Sequence, residues 1–369
     1  MTFVAITMNF PLSLFALRAR AQGHLETFKS AVLRSRRSYR AMALGLASTL
    51  VLAGANAAAT TPADTASRAA IVEAVLAQLR EHYIDVAKVP AIEELLRKRQ
   101  AAGDYDRITD GAELAKTMTS DLQSIGHSGH LNLRYRSQPL SLKAREPEAV
   151  ERAAQDAEAR LINYGVIRAE VMEGNIGYLR VDRFGDAEAG GRAVAGAMTM
   201  LANTDAMIVD LRANRGGGDL NAVLASYFLP SHTQLLSTLE YPRRDMTIQV
   251  WSLPSLAGPR YLDRPVYLLT SRQTFSAGEA FVYNLQATGR VTVVGERTRG
   301  GADPNTVIPV DPHFVLSIPI GRTVHPVTKT SWEGVGVKPD VPTAQGEDAL
   351  SAALTLATKE VRSKASAAR

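Results

Sequence analysis

Residues 265–279 read Pro-Val-Tyr-Leu-Leu-Thr-Ser-Arg-Gln-Thr-Phe-Ser-Ala-Gly-Glu, and they restrict the chain more than any other segment. The apolar run 265–269 reads as a buried strand, and the helical pattern that follows opens at Ser276. A strand that turns directly into a helix belongs to layered α/β folds. The corner also sets a hydroxyl beside the unpaired N–H groups of a helix's first turn, where a developing oxyanion can be held. Ser276 and Glu279 make a Ser-x-x-Glu capping box as well, so this segment alone is equally served by a structural role.

Two further segments change that balance. The strand pattern Ala206-Met207-Ile208-Val209-Asp210 runs through Leu-Arg-Ala-Asn-Arg into Gly216-Gly217-Gly218, and a helical pattern (Leu220, Val223, Leu224, Tyr227, Phe228) begins just after. Glycines at such a junction let the backbone turn sharply and approach a ligand with its N–H groups exposed. Their spacing matches neither G-x-G-x-x-G nor G-x-x-x-x-G-K-[ST], which argues against a nucleotide site. Near the C-terminus, Thr330-Ser331-Trp332-Glu333-Gly334-Val335-Gly336-Val337-Lys338-Pro339-Asp340-Val341 sets a carboxylate, Glu333, in a glycine-rich turn.

Four motifs stand in order: Asp-Leu-Arg-x-Asn-x-Gly-Gly-Gly from Asp210, Thr-Phe-Ser-Ala-Gly-Glu from Thr274, Val-Val-Gly-Glu-x-Thr-x-Gly-Gly from Val293, and Trp-Glu-Gly-Val-Gly-Val-x-Pro-Asp-Val from Trp332. In this order the chain resembles the serine peptidases that include the C-terminal processing proteases, the tricorn core protease and the retinoid-binding-protein modules. The resemblance runs from Ala66 to Thr343 and is strongest from Asn175 onward. It implies a crotonase/ClpP-like α/β core of repeated strand-strand-helix units. Many relatives carry a PDZ module before that core; about forty residues separate Tyr135 from Asn175, too few for one.

A serine hydroxyl needs a neighbouring base at neutral pH. The processing-protease branch of the family supplies a lysine twenty-five positions after the serine; Gly301 stands there in this chain. Arg299 cannot replace it, because guanidinium keeps its proton. The tricorn-like branch uses Ser, His and Glu. The resemblance therefore implies Ser276 as nucleophile, His130 as general base and then acid, and Glu333 as the group that orients the imidazole and favours its charged form. The oxyanion donors would be the N–H of Ala277 and that of Gly217, with Gly216 as the near alternative. His127 is the second choice of base, and Lys329, four residues before Glu333, is the lysine to test against it. His130 is preceded by Ser128 and Gly129, where relatives carry an acidic residue or a serine, so the family pattern is not complete. His127 and His130 have the offset of a metal pair, yet no third ligand lies at zincin spacing, so neither metal nor organic cofactor is expected.

The rest of the chain frames this site. Ala69, Ile71, Val72, Val75, Leu76, Leu79 and Tyr83 recur at helical spacing, and 92–96 and 114–125 continue the pattern. Leu131–Tyr135 alternates like a strand. The predicted organisation is a leader at 1–57, a small helical N-terminal domain at 58–136, a linker and helix at 137–165, a catalytic α/β core at 166–345, and a C-terminal helix and tail at 346–369. Alternation of strands and helices is expected to continue to Val327, and a final helix to span 347–361.

The leader carries a basic run (Arg34-Ser-Arg-Arg-Ser-Tyr-Arg), an uncharged stretch from Ala41 to Gly54, and Ala55-Asn56-Ala57, an A-x-A cleavage site. Cleavage after Ala57, with a periplasmic or secreted mature protein free of integral membrane domains, is the expectation; the rival is a retained anchor. Ser35–Tyr39 also faintly resembles a twin-arginine signal. Zero cysteines exclude disulfides and thiol catalysis. The net charge of +5 is concentrated in the leader, and the body shows no basic run interleaved with aromatics, so nucleic acid is not an expected partner. The expected substrate is a peptide or unfolded protein. A catalytically inert binder of apolar ligands or peptides on the same fold is the alternative.

Overall fold

The structure, a computed structural model, describes residues 65–140, 156–344 and 347–367. The predicted leader, its cleavage site and residues 141–155 of the predicted linker and helix at 137–165 lie outside them. The described residues belong to one unit.

Six strands form the central sheet in the order β12-β8-β7-β4-β3-β2. They are β2 (Val166–Met172), β3 (Ile176–Val181), β4 (Ala206–Asp210), β7 (Val266–Thr270), β8 (Thr292–Gly295) and β12 (Val341–Pro342). The β2–β3 pair is antiparallel, and every pairing from β3 to β12 is parallel. Parallel strands require crossovers, supplied here by helices α4 (Ala187–Met200), α5 (Leu220–Tyr227) and α6 (Ala277–Ala287). Both faces are covered, which is why β4 and β7 read as unbroken apolar runs. Met207, Val209 and Leu268 pack with Val194, Leu224 and Phe281 on one face. Ile208, Tyr267 and Leu269 pack on the other with Ala349, Ala353 and Ala357 of α7 (Ala349–Ala367). Alanine at every fourth position gives α7 a flat stripe that lies close to the sheet. The helix begins near its predicted start and runs past Val361.

Helices α1 (Thr65–His82), α2 (Val89–Ala101) and α3 (Gly111–Gly126) take up the predicted N-terminal helical patterns. Asp110 caps α3 by accepting the Glu113 N–H at 2.8 Å, and His127, at φ 54°, ends it in the left-handed region. Their core is shared. Leu76, Leu79, Ile92 and Leu122 pack with Leu133 of β1 (Asn132–Tyr135) and with Phe314, Leu316 and Ile318 of β10 (Phe314–Pro319). Strand β10 lies between β1 and β9 (Asn305–Asp311) in a three-stranded antiparallel sheet. A third sheet joins β11 (Arg322–Val324), β5 (Leu235–Tyr241) and β6 (Met246–Trp251). The predicted alternation is therefore corrected after β8: strands alone, with no helix, fill the interval from there to Val327. Hairpin β9–β10 is spent on covering α1 rather than on extending the parallel sheet.

Candidate active site

Neighbouring parallel strands deliver their C-terminal loops to one place, and β4 and β7 are neighbours. The glycine loop leaves β4 and Ser276 follows β7. Ser276 sits at φ 53°, ψ −122°, a conformation that L-residues rarely adopt. Its N–H donates to the Glu279 carboxylate at 2.9 Å, one half of the predicted capping box. Gly216 (φ 92°) packs directly on this corner, so that a Cβ there would stand 2.7 Å from the Ser276 Cβ and 3.0 Å from the Ala277 nitrogen. Only glycine fits that approach.

Asn214, fully buried, builds the loop. Its Nδ2 donates to the Val181 carbonyl at 3.0 Å, its Oδ1 accepts the Gly216 N–H at 2.8 Å, and its own carbonyl accepts the Phe275 N–H at 3.0 Å. The Gly216 N–H is thus committed to Asn214. The N–H groups of Gly217 (φ 133°) and Ala277 have no partner among the described residues. Asp210 and Arg212 brace the loop from below. Burial pushes the Asp210 carboxyl up, but hydrogen bonds from Arg212 and Tyr178 outweigh it and hold the pKa below the usual range.

His130 is buried, its backbone N–H donates to the Ser128 Oγ at 3.2 Å, and its ring packs against Phe275 with centroids 4.6 Å apart. The residue before the candidate nucleophile therefore carries the candidate base. Burial, and then the charge of Arg299, push the imidazole pKa down to about 4. This differs from the expectation that Glu333 would raise it. No hydrogen bond among the described residues joins His130 to Ser276 or to Glu333. The Nδ1 of His130 and Oε1 of Glu333 are both buried and unpartnered. The other Glu333 oxygen, Oε2, accepts the N–H groups of Ala302 at 2.5 Å and Asp303 at 2.8 Å.

Loop 298–303 thus runs between the base and the acid. Trp332 donates its indole N–H to the Gly301 carbonyl at 3.0 Å, and the Gly334 N–H bonds the Gly300 carbonyl at 3.0 Å. From the other side Glu279, fully buried, accepts from Thr298 Oγ1 at 2.5 Å, Gly300 N at 2.7 Å and Gly301 N at 2.8 Å. Burial drives the Glu279 carboxyl pKa upward against these donors. Asp303 is also driven up, to about 7, by burial and by the nearby Glu333 charge. The motifs alone show Glu279 only as the partner in a capping box and give Asn214 no role. A polar side chain inside an otherwise apolar or glycine-rich junction was the available signal.

Of the other candidates, His127 shares the lining of one cavity with Ser128, Asp303 and Glu333. His127 is exposed at the end of α3. His325 is buried and its Nδ1 accepts the N–H groups of Val327 and Thr328, which closes a local turn. Lys329 is exposed at φ 58°; a lysine base has to be desolvated to titrate near neutrality. Among the described residues no group of His, Cys, Asp and Glu could hold a metal, and no helix is long and apolar enough to cross a membrane.

Residues 175–343 match the model of peptidase family S41, and residues 58–166 match that of the N-terminal domain of peptidase S41 in eukaryotic IRBP. The chain is 26% identical over 182 residues to the carboxy-terminal-processing protease of Bartonella bacilliformis, a match covering 47% of this chain and 40% of that protein's length. A crystal structure of a candidate peptidase from Parabacteroides merdae superposes with a TM-score of 0.56 at 22% identity, over 78% of this chain and 96% of that one. Mature CPAF complexed with lactacystin gives 0.50 at 11% identity, over 74% and 94%. These two likenesses show a mixed α/β fold with a central sheet and helices in common. With both family models met in order along the chain, this protein belongs to peptidase family S41, a family of serine peptidases.

Proposed function

We propose that this chain is an endopeptidase acting on peptides or unfolded proteins through an acyl-enzyme on Ser276. The observation that carries the reading is the strained Ser276 corner packed against Gly216, with N–H groups that have no partner among the described residues on the next residue of each segment, Gly217 and Ala277. Ser276 attacks the scissile carbonyl, and the oxyanion forms toward those two donors. His130 takes the serine proton and returns it to the leaving amine. Glu333 stabilises the imidazolium formed in between, for which its unpartnered Oε1 is the free acceptor. Resting hydrogen bonds in such sites commonly tighten only when substrate is bound.

The core from 166 to 345 is of the crotonase/ClpP-like type, preceded by a small helical domain at 58–136 and the 137–165 connection, and followed by the C-terminal helix and tail from 346. The leader directs export to the periplasm or beyond and is cut after Ala57. A fluorophosphonate probe tests the central claim: labelling at Ser276 is expected, with loss on Ser276→Ala. A folded protein that neither labels nor cleaves any peptide would be the inert binder instead.

A further inference from the structure

A cavity of about 650 Å³ opens along the chain that leaves β8 and the segment that leads into β12. Four cations line it, Arg272, Arg297, Arg299 and Lys338, against one carboxylate, Glu296. Glu296 is already engaged by Arg272 at 3.5 Å. Arg297 reaches only the uncharged carbonyl of Val335, at 3.1 Å. The side chains of Arg299 and Lys338 have no ion-pair or hydrogen-bond partner among the described residues, and both are exposed. Arg299 links the cavity to the chemistry: its guanidinium carbon lies 4.9 Å from the centre of the Phe275 ring, and that ring packs against His130 with centroids 4.6 Å apart.

A cation beside a general base disfavours the imidazolium that catalysis must form. An unpaired guanidinium at that position is therefore unfavourable to the resting chemistry, and it becomes favourable once an anion meets it. The anion available during turnover is carried by the polypeptide being cut. No aromatic platform lines the cavity, which sets it apart from single-strand nucleic-acid grooves.

We propose that this groove receives carboxylates of the substrate on the leaving-group side, where His130 hands over its proton, and that it makes the enzyme prefer acidic sequence just after the scissile bond. This inference rests on the peptidase reading above. The carboxylate is that of an Asp or Glu side chain.

Internally quenched peptides differing only in Glu, Gln or Lys at the first four positions after the cut test it, each made as free acid and as amide. The expected order of kcat/KM is Glu over Gln over Lys, with Glu about tenfold above Gln at the best position and the gap shrinking in high salt. The Glu/Gln ratio should fall toward one in Arg299→Gln and in Arg297→Gln/Lys338→Gln. A gap between free acid and amide that exceeds the Glu/Gln gap overturns the side-chain assignment; the reverse supports it. Cleavage with no charge preference, or with preference only before the cut, overturns the groove and leaves the peptidase reading intact. If no peptide is cut, fluorescence anisotropy of the same Glu and Gln peptides on Ser276→Ala protein measures binding directly. Tighter binding of the Glu peptide is then the expected result, and equal affinity overturns the groove.

Discussion

A Cβ on Gly301 would stand 3.1 Å from Cε1 of His130 and 2.2 Å from Cε2 of Phe275. Gly301 is the position at which the processing-protease branch is expected to carry its lysine. In this chain the volume is taken by the imidazole and phenyl rings, tilted 50° to each other in contact, so the two choices of base exclude each other sterically. Glycine here is needed for space.

Gly301→Ala should accordingly displace Phe275 and His130 rather than unfold the protein. A shift of about 1 Å at a catalytic group commonly lowers the rate by about 10²-fold. The expected result is a loss of that size in kcat, measured with the active fraction titrated by fluorophosphonate, and partial recovery in Gly301→Ala/Phe275→Leu. The competing base is tested in the same series. Full activity in His130→Ala, with loss in Lys329→Ala, would overturn the histidine assignment.

The backbone of Ser276 separates catalytic from structural effects. A non-glycine residue held in such a conformation costs about 1–3 kcal/mol. Ser276→Ala removes the hydroxyl and keeps the strain; Ser276→Gly removes both, offset by about 0.4–1 kcal/mol of extra chain entropy in the unfolded state. Both variants should lose peptidase activity, by a factor of about a million in the chemical step. In urea unfolding, Ser276→Gly should be more stable than Ser276→Ala by about 1 kcal/mol. Equal stability would mean that the corner is not strained.

Two buried groups make opposing contributions to stability against pH. His130 has a folded pKa of about 4, below its unfolded value near 6.5, because of burial and Arg299. Between those values the unfolded chain binds more protons, so this contribution is fully present above 6.5 and is lost as pH falls toward 4. Its full span is about 3 kcal/mol. Asp303 is raised to about 7 by burial and Glu333, so its contribution is fully present below the unfolded carboxyl value and is lost as pH rises through 7. His325, also lowered by burial, adds to the His130 direction. Between pH 4 and 6.5 the wild-type curve should thus be flattened by cancellation. Asp303→Asn should steepen its rise with pH, and His130→Asn should reduce or reverse it. In activity, kcat/KM should hold down to about pH 4 before its acidic limb, and Arg299→Gln should move that limb upward.

The sequence was most legible where one strand or helix settles the matter. Unbroken apolar runs such as 206–209 and 266–269 show strands covered on both faces, and the Ser276 and Gly216–Gly217 junctions follow from where those strands end. Pairings between distant segments were not legible. Nothing local indicates that Leu133 faces Leu316, a partner set by the core beneath α1–α3. The acid shows the same limit at atomic scale. Glu333 could be named from its motif, but its hydrogen bonds go to Ala302 and Asp303, because the folding of loop 298–303 decides which N–H groups are within reach.

Glu279 holds that loop to the nucleophile, and it offers the sharpest test of how the site is positioned. Its two oxygens accept from the Ser276 N–H, Thr298 Oγ1, and the Gly300 and Gly301 N–H groups, so every partner is a donor. A carboxylate can accept from all four; a glutamine amide brings its own N–H groups against at least one of them. Glu279→Gln should therefore leave buried donors unpaired, at about 1–3 kcal/mol of stability. The freed loop carries Gly301 away from His130 and the freed corner lets Ser276 relax. Activity should then drop in kcat more than in KM, because the groups displaced are those that act in the transition state. Glu279→Asp keeps four acceptor sites but shortens the reach, and it should recover stability better than rate. If Glu279→Gln lowered stability while kcat and the rate of fluorophosphonate labelling stayed at wild-type values, Glu279 would be a helix cap and nothing more.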